Sequence, residues 1–520
     1  MARKWWTLIA VSVATFMLLL DITVVNTALP SIQKDLSASF TDLQWVIDAY
    51  TLSLAAVVLT AGSIADRIGR RAVFAGGLGI FAAASLAAGL APDATFLNIS
   101  RAVQGIGGAA MFAVSLALVA QEFAAGRERA TAMGIYGATI GAAVAVGPLV
   151  GGAITDAFGW RWVFFLNVPI GIAAIAVTFA KLRESRDPSA TRVDWLGLAT
   201  FSTALLALVL GLLRGNDDGW SSAPILALFS VAAVMLAAFA VVERRVSEPM
   251  LPLGLFRNRA FTGVQLAAFA VSASLFALFL YLTLYLQNYL GYSPLQAGLR
   301  YLPITLAPFF VAPVAVALMG RVQARVLMAV GLAGVGAGLL LMSGLTAASG
   351  WTALLPGFIV AGVGVGLLNP VIADVAVSVV PKEQSGMAAG INDTFRQVGV
   401  AVGVAAWGAI FLGRGADKIS SVAGATPAAG GDHPRQLLEA ASDGRLGSTL
   451  AAVPHGARGV IEHATRQGFL TGLNAIIVIG ALLALAGAAV ALWLVREHQI
   501  ERDQPELVAA PDGEISIITA

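Results

Sequence analysis

The sequence predicts an all-α polytopic membrane protein of fourteen transmembrane helices, and three observations lead to that class. Hydrophobic residues make up 58% of the 520, charged residues only 12%, and mean hydropathy is +0.82; a soluble domain carries about 25% charged residues. Apolar runs of about 20 residues, the length that crosses a bilayer, recur along nearly the whole chain. Arginine and lysine sort to alternate sides of those runs. The net charge of +2 is spread along the chain and gives no case for a nucleic-acid partner. Without a cysteine, disulfides, thiolate metal sites and cysteine nucleophiles are excluded.

The helices are expected near 6–29, 42–62, 72–91, 95–121, 131–154, 162–182, 194–213, 223–243, 260–287, 295–319, 326–346, 351–379, 386–412 and 468–495. The first starts after "MARKWW" and could imitate a signal peptide. Its run is long, contains Asp21 and lacks an A-x-A-like cleavage site, so it reads as a retained helix. The chain ends and the connections after even-numbered helices hold about 20 Arg and Lys, including Arg67, Arg70, Arg71, Lys181, Arg183, Arg186, Arg192, Arg244, Arg245, Arg257 and Arg259. The short opposite connections hold Lys34, Arg161 and Arg214. This bias predicts cytoplasmic termini in a multi-pass protein of the cell membrane. Trp5, Trp6, Trp45, Trp160, Trp162, Trp220, Trp351 and Trp493 fall at predicted helix ends, as an interfacial belt should.

A polar segment, 413–467, is rich in Gly, Ala and Pro and faces outside in this topology; its six Arg and Lys do not count against that, because the charge rule applies to short loops. His433, His455 and His463 lie in it and His498 in the tail. None is in a membrane helix, which excludes a histidine proton relay within the bilayer. A faint repeat links "RAVQGIGGA" from Arg101 with "FIVAGVGVG" from Phe358, and Arg70 with Arg325. The two offsets, 257 and 255 residues, agree. They fit two related six-helix halves, helices 1–6 and 9–14, around an inserted pair, a pattern found in transporters. The expected units are 1–193, the inserted pair 194–247, helices nine to thirteen in 248–412, the outer loop 413–467, the last helix 468–497 and a tail 498–520.

Three ionisable residues share one slab of the membrane. Asp21 lies about 24 Å along the first helix from Trp5, and Asp48 and Arg101 each lie about six residues inside the outer ends of helices two and four. All three sit roughly 8 Å below the outer surface. An intramembrane charge costs a few kcal/mol and must face a cavity or a partner. One reading is a structural ion pair of Arg101 with one aspartate. The favoured one is a proton-handling site, because two acids to one arginine leave a carboxylate to take a proton or a cationic ligand. Helices twelve and thirteen hold a second group, Asp374, Asp393 and Arg396; the last two stand at i, i+3 in "GINDTFRQVG". A structural pair of Arg396 with an aspartate is expected there, with coupling or substrate contact as the alternative.

The loop "GSIADRIGRR" holds Gly62, Asp66, Arg67, Gly69, Arg70 and Arg71, and by composition passes as an ordinary cytoplasmic loop. "GATIGAAVAVGPLVGG" in the fifth helix places Gly137, Gly141, Gly147, Pro148, Gly151 and Gly152 as a small-residue face for close helix packing. Tyr281, Tyr285 and Tyr289, with Gln287, recur at i, i+4, i+8 near the outer end of the ninth helix. They read as an interfacial belt, or alternatively as a cavity wall that stacks on flat or cationic ligands. No Gly-Lys dipeptide, G-x-S-x-G or H-E-x-x-H occurs. An ATPase or hydrolase is therefore not expected, energy must come from a gradient, and no cofactor or metal is called for.

Taken together, these motifs resemble a known family. "GSIADRIGRR" resembles the signature of the loop between helices two and three in the major facilitator superfamily. "RAVQGIGGA" is similar to its helix-four motif, and "GAAVAVGPLVGG" to its helix-five antiporter motif. "LDITVVNTALP", "GWRWVFFLNVPIG" and "EPMLPLGLFRNRAF" resemble the fourteen-helix drug:proton antiporters of the QacA/EmrB type. The resemblance implies the major facilitator fold, two six-helix bundles plus two inserted helices, working by alternating access on small-molecule substrates and protons. It implies that Asp21 and Asp48 answer to protons and cationic substrates, that Arg101 serves coupling, that Asp66 and Arg70 form a cytoplasmic latch, and that Gly147 and Pro148 shape a moving interface. Around Gly320 the second half has no aspartate to match Asp66.

The expected function is proton-coupled efflux of amphipathic, cationic toxic compounds by a monomer in the lipid bilayer. The alternatives are a dedicated exporter of one metabolite or antibiotic, a proton-coupled importer, which the helix-five resemblance disfavours, and a non-transporting sensor or scaffold. The last would dispense with Asp21 and Asp48 and depend on 415–465.

Overall fold

The computed structural model describes residues 3–123, 127–186, 193–380, 384–423, 433–451, 453–499, 507–509 and 515–517. Among these residues fourteen helical stretches are long and apolar enough to cross a membrane, in agreement with the hydropathy pattern. The first five are α1 (Arg3–Leu36), α2 (Phe40–Ile68), α3 (Arg70–Gly89), α4 (Ala94–Glu122) and α5 (Arg127–Phe158); α6 (Arg161–Phe165) and α7 (Asn167–Lys181) together make the sixth. The inserted pair is α8 (Trp195–Asp218) and α9 (Ala223–Arg245). The ninth span joins α10 (Arg259–Ser274), a 3₁₀ turn, α11 (Phe279–Leu284) and a π turn at Tyr285–Tyr289. Then come α12 (Pro294–Leu318), α13 (Ala324–Met342), α14 (Leu355–Ser378) and α15 (Ser385–Ala423). Two short helices, α16 (His433–Ser442) and α17 (Leu446–Ala451), precede the last span, α18 (His455–Leu494). In the tail, Leu507–Ala509 and Ile515–Ile517 pair as an antiparallel ribbon.

Local chemistry sets several boundaries. Ser39 with Asp42, and Ser293 with Gln296, form capping boxes at the starts of α2 and α12, and Asp93 caps α4. Pro169 lacks an N–H and sits in the first turn of α7, where none is needed, so the helix restarts there after the break at Leu166. Where the structure extends past the hydropathy limits, the extra turns are polar: α15 runs on to Ala423 and α18 begins at His455. Much of 413–467 is thus helical, although no apolar run announces it.

The repeat in sequence is a repeat in packing. A methyl group on Gly107 would lie 2.6 Å from the Phe81 backbone nitrogen, so α3 and α4 touch backbone to backbone; Gly364 brings α14 onto α13 in the same way, 2.7 Å from the nitrogen of Val335. On α8, Leu205, Val209 and Leu213 pack against Leu52 and Ala55 of α2 and against Ala401 and Ala405 of α15. The inserted pair therefore rests on both halves.

The two ends of the bundle differ. At the end away from the termini the halves meet. A Cβ on Gly152 would collide with the Pro294 carbonyl of α12, and one on Gly298 with that of Pro148. Gln287 donates to the Thr27 carbonyl at 2.8 Å, joining the π turn to α1. At the end with the termini, here termed the basic end, the same face of α5 continues through Gly141 and Gly137, and no heavy atom lies within 4 Å of either glycine's missing side chain. Phe309, on the matching face of α12, is 47% exposed. Along α5 and α12 the halves are closed at the far end and parted toward the basic end, while α2 and α15 still touch where Leu59 meets Gly390.

Candidate functional site

Asp21 of α1, 2% exposed, is the centre of a buried polar cluster. Its Oδ2 accepts from Arg101 of α4 in a buried ion pair. Its Oδ1 accepts from Gln104 Nε2 and from Asn167 Nδ2, both at 2.9 Å. Ser85 Oγ of α3 accepts from Gln104 at 2.8 Å. Arg101 also donates to the Gln104 amide oxygen at 2.7 Å and to the Val46 carbonyl at 3.1 Å, and its guanidinium lies 4.2 Å from the ring centre of Tyr50. Both ions of the pair are thus held by further hydrogen bonds, the condition under which a buried pair is tolerated.

The expected sharing of Arg101 by two aspartates is not what the structure shows. Asp48 is fully buried, and among the described residues neither carboxyl oxygen has a hydrogen-bond partner and no cation stands beside it. The helical repeat explains the separation: Tyr50, whose ring faces Arg101, and Asp48 are two residues apart, so their side chains point about 200° from each other around α2. Asp48 shares its face with Gln44 and Leu52, one turn to either side. Gln44 donates to the Val404 carbonyl of α15 at 2.9 Å and to Tyr281 Oη at 3.2 Å, and packs on Gly408. Asp48 therefore lies at the contact between the halves, toward the closed end.

Tyr281 is fully buried at that contact and Tyr285 within the second half, instead of forming a lipid-interface belt or an open cavity wall. Their hydroxyls donate to the carbonyls of Val404 and Ser349.

In the second half, Arg396 donates to Asn369 Oδ1 at 3.2 and 3.3 Å and to Asn392 Oδ1 at 3.3 Å, and Asn392 donates to Gln265 at 3.0 Å. The expected Arg396–aspartate pair is absent: among the described residues no acid lies within 4 Å of that guanidinium. From its place on α15 the side chain reaches back one turn to Asn392 and across to α14. Asp393 and Asp374 are half-buried.

At the basic end, Arg70 pairs with Asp66 within the α2–α3 turn, at 2.8 and 3.0 Å. Gly69 takes φ +123°, a conformation that favours glycine, and Gly320 repeats it before α13 with φ +92°. Glu184 accepts from the Arg71 and Ala72 backbone N–H groups at 2.9 and 3.2 Å and so caps α3. Gly62 has open space beside it, and among the described residues Asp66 and Arg70 bond only to each other and to Ser185. In the helix-five motif, Gly147 and Gly151 pack on Thr23 and Thr27 of α1 and Gly152 on α12, while Gly137 and Gly141 have open space beside them.

Sequence reasoning missed Gln104, Ser85, Asn167, Gln44 and Glu184. Gln104, at i+3 from Arg101, and Gln44, at i−4 from Asp48, were findable as polar neighbours of a charge on one helix face. The other three come together only through the packing of separate elements.

Residues 11–404 match the family described as Major Facilitator Superfamily. The puromycin resistance protein pur8 of Streptomyces alboniger is 38% identical over 431 residues, 82% of this chain and 85% of that protein. The multidrug efflux pump LfrA of Mycolicibacterium smegmatis is 33% identical over 492 residues, 94% of this chain and 95% of that protein. Among solved structures, a bacterial homologue of the human lysosomal transporter Spinster, inward-facing and unoccupied, superposes with a TM-score of 0.61. It is 16% identical, with 97% of this chain and 99% of that chain covered, which is a likeness of fold.

Proposed function

We propose, from the premise that this chain belongs to the major facilitator superfamily, that it expels amphipathic, cationic toxic compounds from the cytoplasm in exchange for protons, by alternating access. The kinship with a multidrug efflux pump and an antibiotic resistance protein supports the efflux direction. The crowding of Arg and Lys at the end with the termini supports a cytoplasmic basic end. The parted α5–α12 face then opens toward the cytoplasm, ready to admit substrate.

One observation carries the proton role. Asp48 is wholly buried between the halves, with no donor among the described residues on either oxygen. An ionised carboxylate there would be an uncompensated charge, so closing the far end around it requires a proton. When that end opens, Asp48 meets water and takes a proton from outside as the cation departs; with the far end closed again, a cationic compound entering by the parted α5–α12 face displaces that proton from Asp48 to the cytoplasm and takes its place beside the carboxylate. Asp21 and Arg101 hold α1, α4 and α7 in register for that movement, with Asp374, Asp393 and Arg396 as the answering polar group of the second half. The Asp66–Arg70 pair serves as the basic-end latch. The protein acts as a monomer.

Everted vesicles with an imposed pH gradient test this. Uptake of a fluorescent lipophilic cation by the wild type should collapse with a protonophore and fail in Asp48→Asn at normal protein level. Gradient-driven uptake unchanged in Asp48→Asn removes the proposed proton site. The 38% identity to a protein named for one antibiotic favours a second reading, a dedicated exporter. Competition among unrelated cations separates the two: a multidrug pump is inhibited by many, a dedicated one by few.

A further inference from the structure

The inserted helix pair holds two carboxyls that this transport cycle does not use. Asp194 caps α8, its Oδ1 accepting from the Gly197 N–H at 2.7 Å. Glu243, in the last turn of α9, accepts from the Leu251 N–H at 3.0 Å through Oε2. Leu251 lies in the connector from α9 to α10, and its neighbour Met250 is buried against Thr60 of α2. Asp194 and Glu243 are 6% and 4% exposed.

Their second oxygens, Asp194 Oδ2 and Glu243 Oε1, have no hydrogen-bond partner. Both point into the space over Gly197. A methyl group on that glycine would collide with Asp194 Oδ2 and lie 2.8 Å from Glu243 Oε1. The two carboxyls are within hydrogen-bonding reach of each other. On α9 the next residues, Arg244 and Arg245, are exposed; the connector contributes the half-buried Glu248, and α2 presents the uncharged Thr60. No cation among the described residues pairs with either acid.

Two ionised carboxylates facing each other in a dry site repel, whereas one proton between them turns the contact into a short charge-assisted hydrogen bond. We infer that Asp194 and Glu243 hold one proton between them, as an acid–carboxylate pair that ties the start of α8, the end of α9 and the connector to α10. Gly197 is what leaves room for it. Because α8 rests on α2 and α15 and the connector on α2, losing this proton loosens the inserted pair from both halves at the basic end. The chain then has a titratable staple separate from Asp21 and Asp48.

The full chain in nanodiscs, compared with Glu243→Gln and Asp194→Asn, tests this. Either amide keeps the shape and replaces the proton with an N–H donor. The infrared difference between wild type and Glu243→Gln near neutral pH should show one protonated-carboxyl band that shifts in heavy water. As pH is raised, the wild type should lose roughly 2 °C of melting temperature relative to Glu243→Gln. Asp194→Asn, which keeps the α8 cap through its amide oxygen, carries the same spectral comparison should Glu243→Gln not fold. Absence of that band in both comparisons overturns the inference. So does stabilisation of the wild type, but not of Glu243→Gln, by sodium or potassium, which would place a metal cation between the oxygens.

Discussion

In the N-terminal half, the buried polar centre is an ion pair with a complete set of partners: Asp21 and Arg101, braced by Gln104, Asn167 and Ser85. In the C-terminal half, Arg396 is met by amide oxygens, those of Asn369 and Asn392, while Asp393 stays half-buried beside it. The backbones are packed alike, glycine against glycine in α3–α4 and in α13–α14. Their polar chemistry is not. A closed ionic cluster welds four helices, α1, α3, α4 and α7, and yields only at high cost. A cation on neutral acceptors keeps charge to spare for a ligand or a neighbouring acid. One half closes its charges into a paired frame, and the other sets the Arg396 charge on amides with Asp393 acting on it through space.

That comparison breaks most directly at the two arginines. Arg101→Gln strands Asp21 in a dry site and should cost about 3–5 kcal/mol; Arg396→Gln removes hydrogen bonds to amides and should cost about 1–2 kcal/mol. Denaturant unfolding in detergent measures both. Equal costs would end the frame-and-charge contrast.

Asp48→Asn should leave stability within about 0.5 kcal/mol, since the amide matches the protonated acid in shape. Gradient-driven uptake in the vesicle assay should fall at least about tenfold, a coupling loss of about 1.4 kcal/mol.

The closed and parted stretches of α5 give a third contrast. Gly152→Val should cost about 1–3 kcal/mol by overpacking against α12, while Gly137→Val should stay within about 0.5 kcal/mol. Because the chain has no cysteine, single cysteines on α5 can be labelled without background. Labelling near Gly152 should rise in the Gly152→Val protein as the far end is wedged apart, and labelling near Gly137 should not change in Gly137→Val.

The smallest effect concerns the far-end segment. Burial raises the Asp443 carboxyl above its ordinary value, outweighing the bond from Arg445; Gln33 of α1 also donates to it. The folded segment therefore holds that proton more tightly than the unfolded chain does. Its contribution is complete below the ordinary carboxylate pKa and is lost as pH rises through the folded value. Proteolytic protection of 433–451 should fall over that range by no more than about 1 kcal/mol, and Asp443→Asn should reduce the dependence, leaving the part due to Glu439, whose carboxyl burial also raises.

Several of these residues could be named from the chain alone. Asp21, Asp48 and Arg101 stand out because lipid makes any charge conspicuous. The count of spans, their order and the repeat are likewise legible, since a bilayer demands runs of set length and composition. The helical turns between 413 and 467 are not, because a polar helix outside the membrane has no hydropathy signature and is held by contacts such as Arg435 with the Asn216 carbonyl.

By itself, then, the sequence determined the class, the spans, the basic end and the ionisable residues, all of which follow from the one-dimensional cost of placing groups in lipid. Only the tertiary structure decided how the charges were distributed. It set Arg101 against Asp21 and not Asp48, Arg396 against amides, Tyr281 into a closed contact and Glu243 against Asp194. Pairing depends on rotation about each helix axis and on the distance between helices, and both arise from glycine-to-backbone packing among elements far apart in the chain.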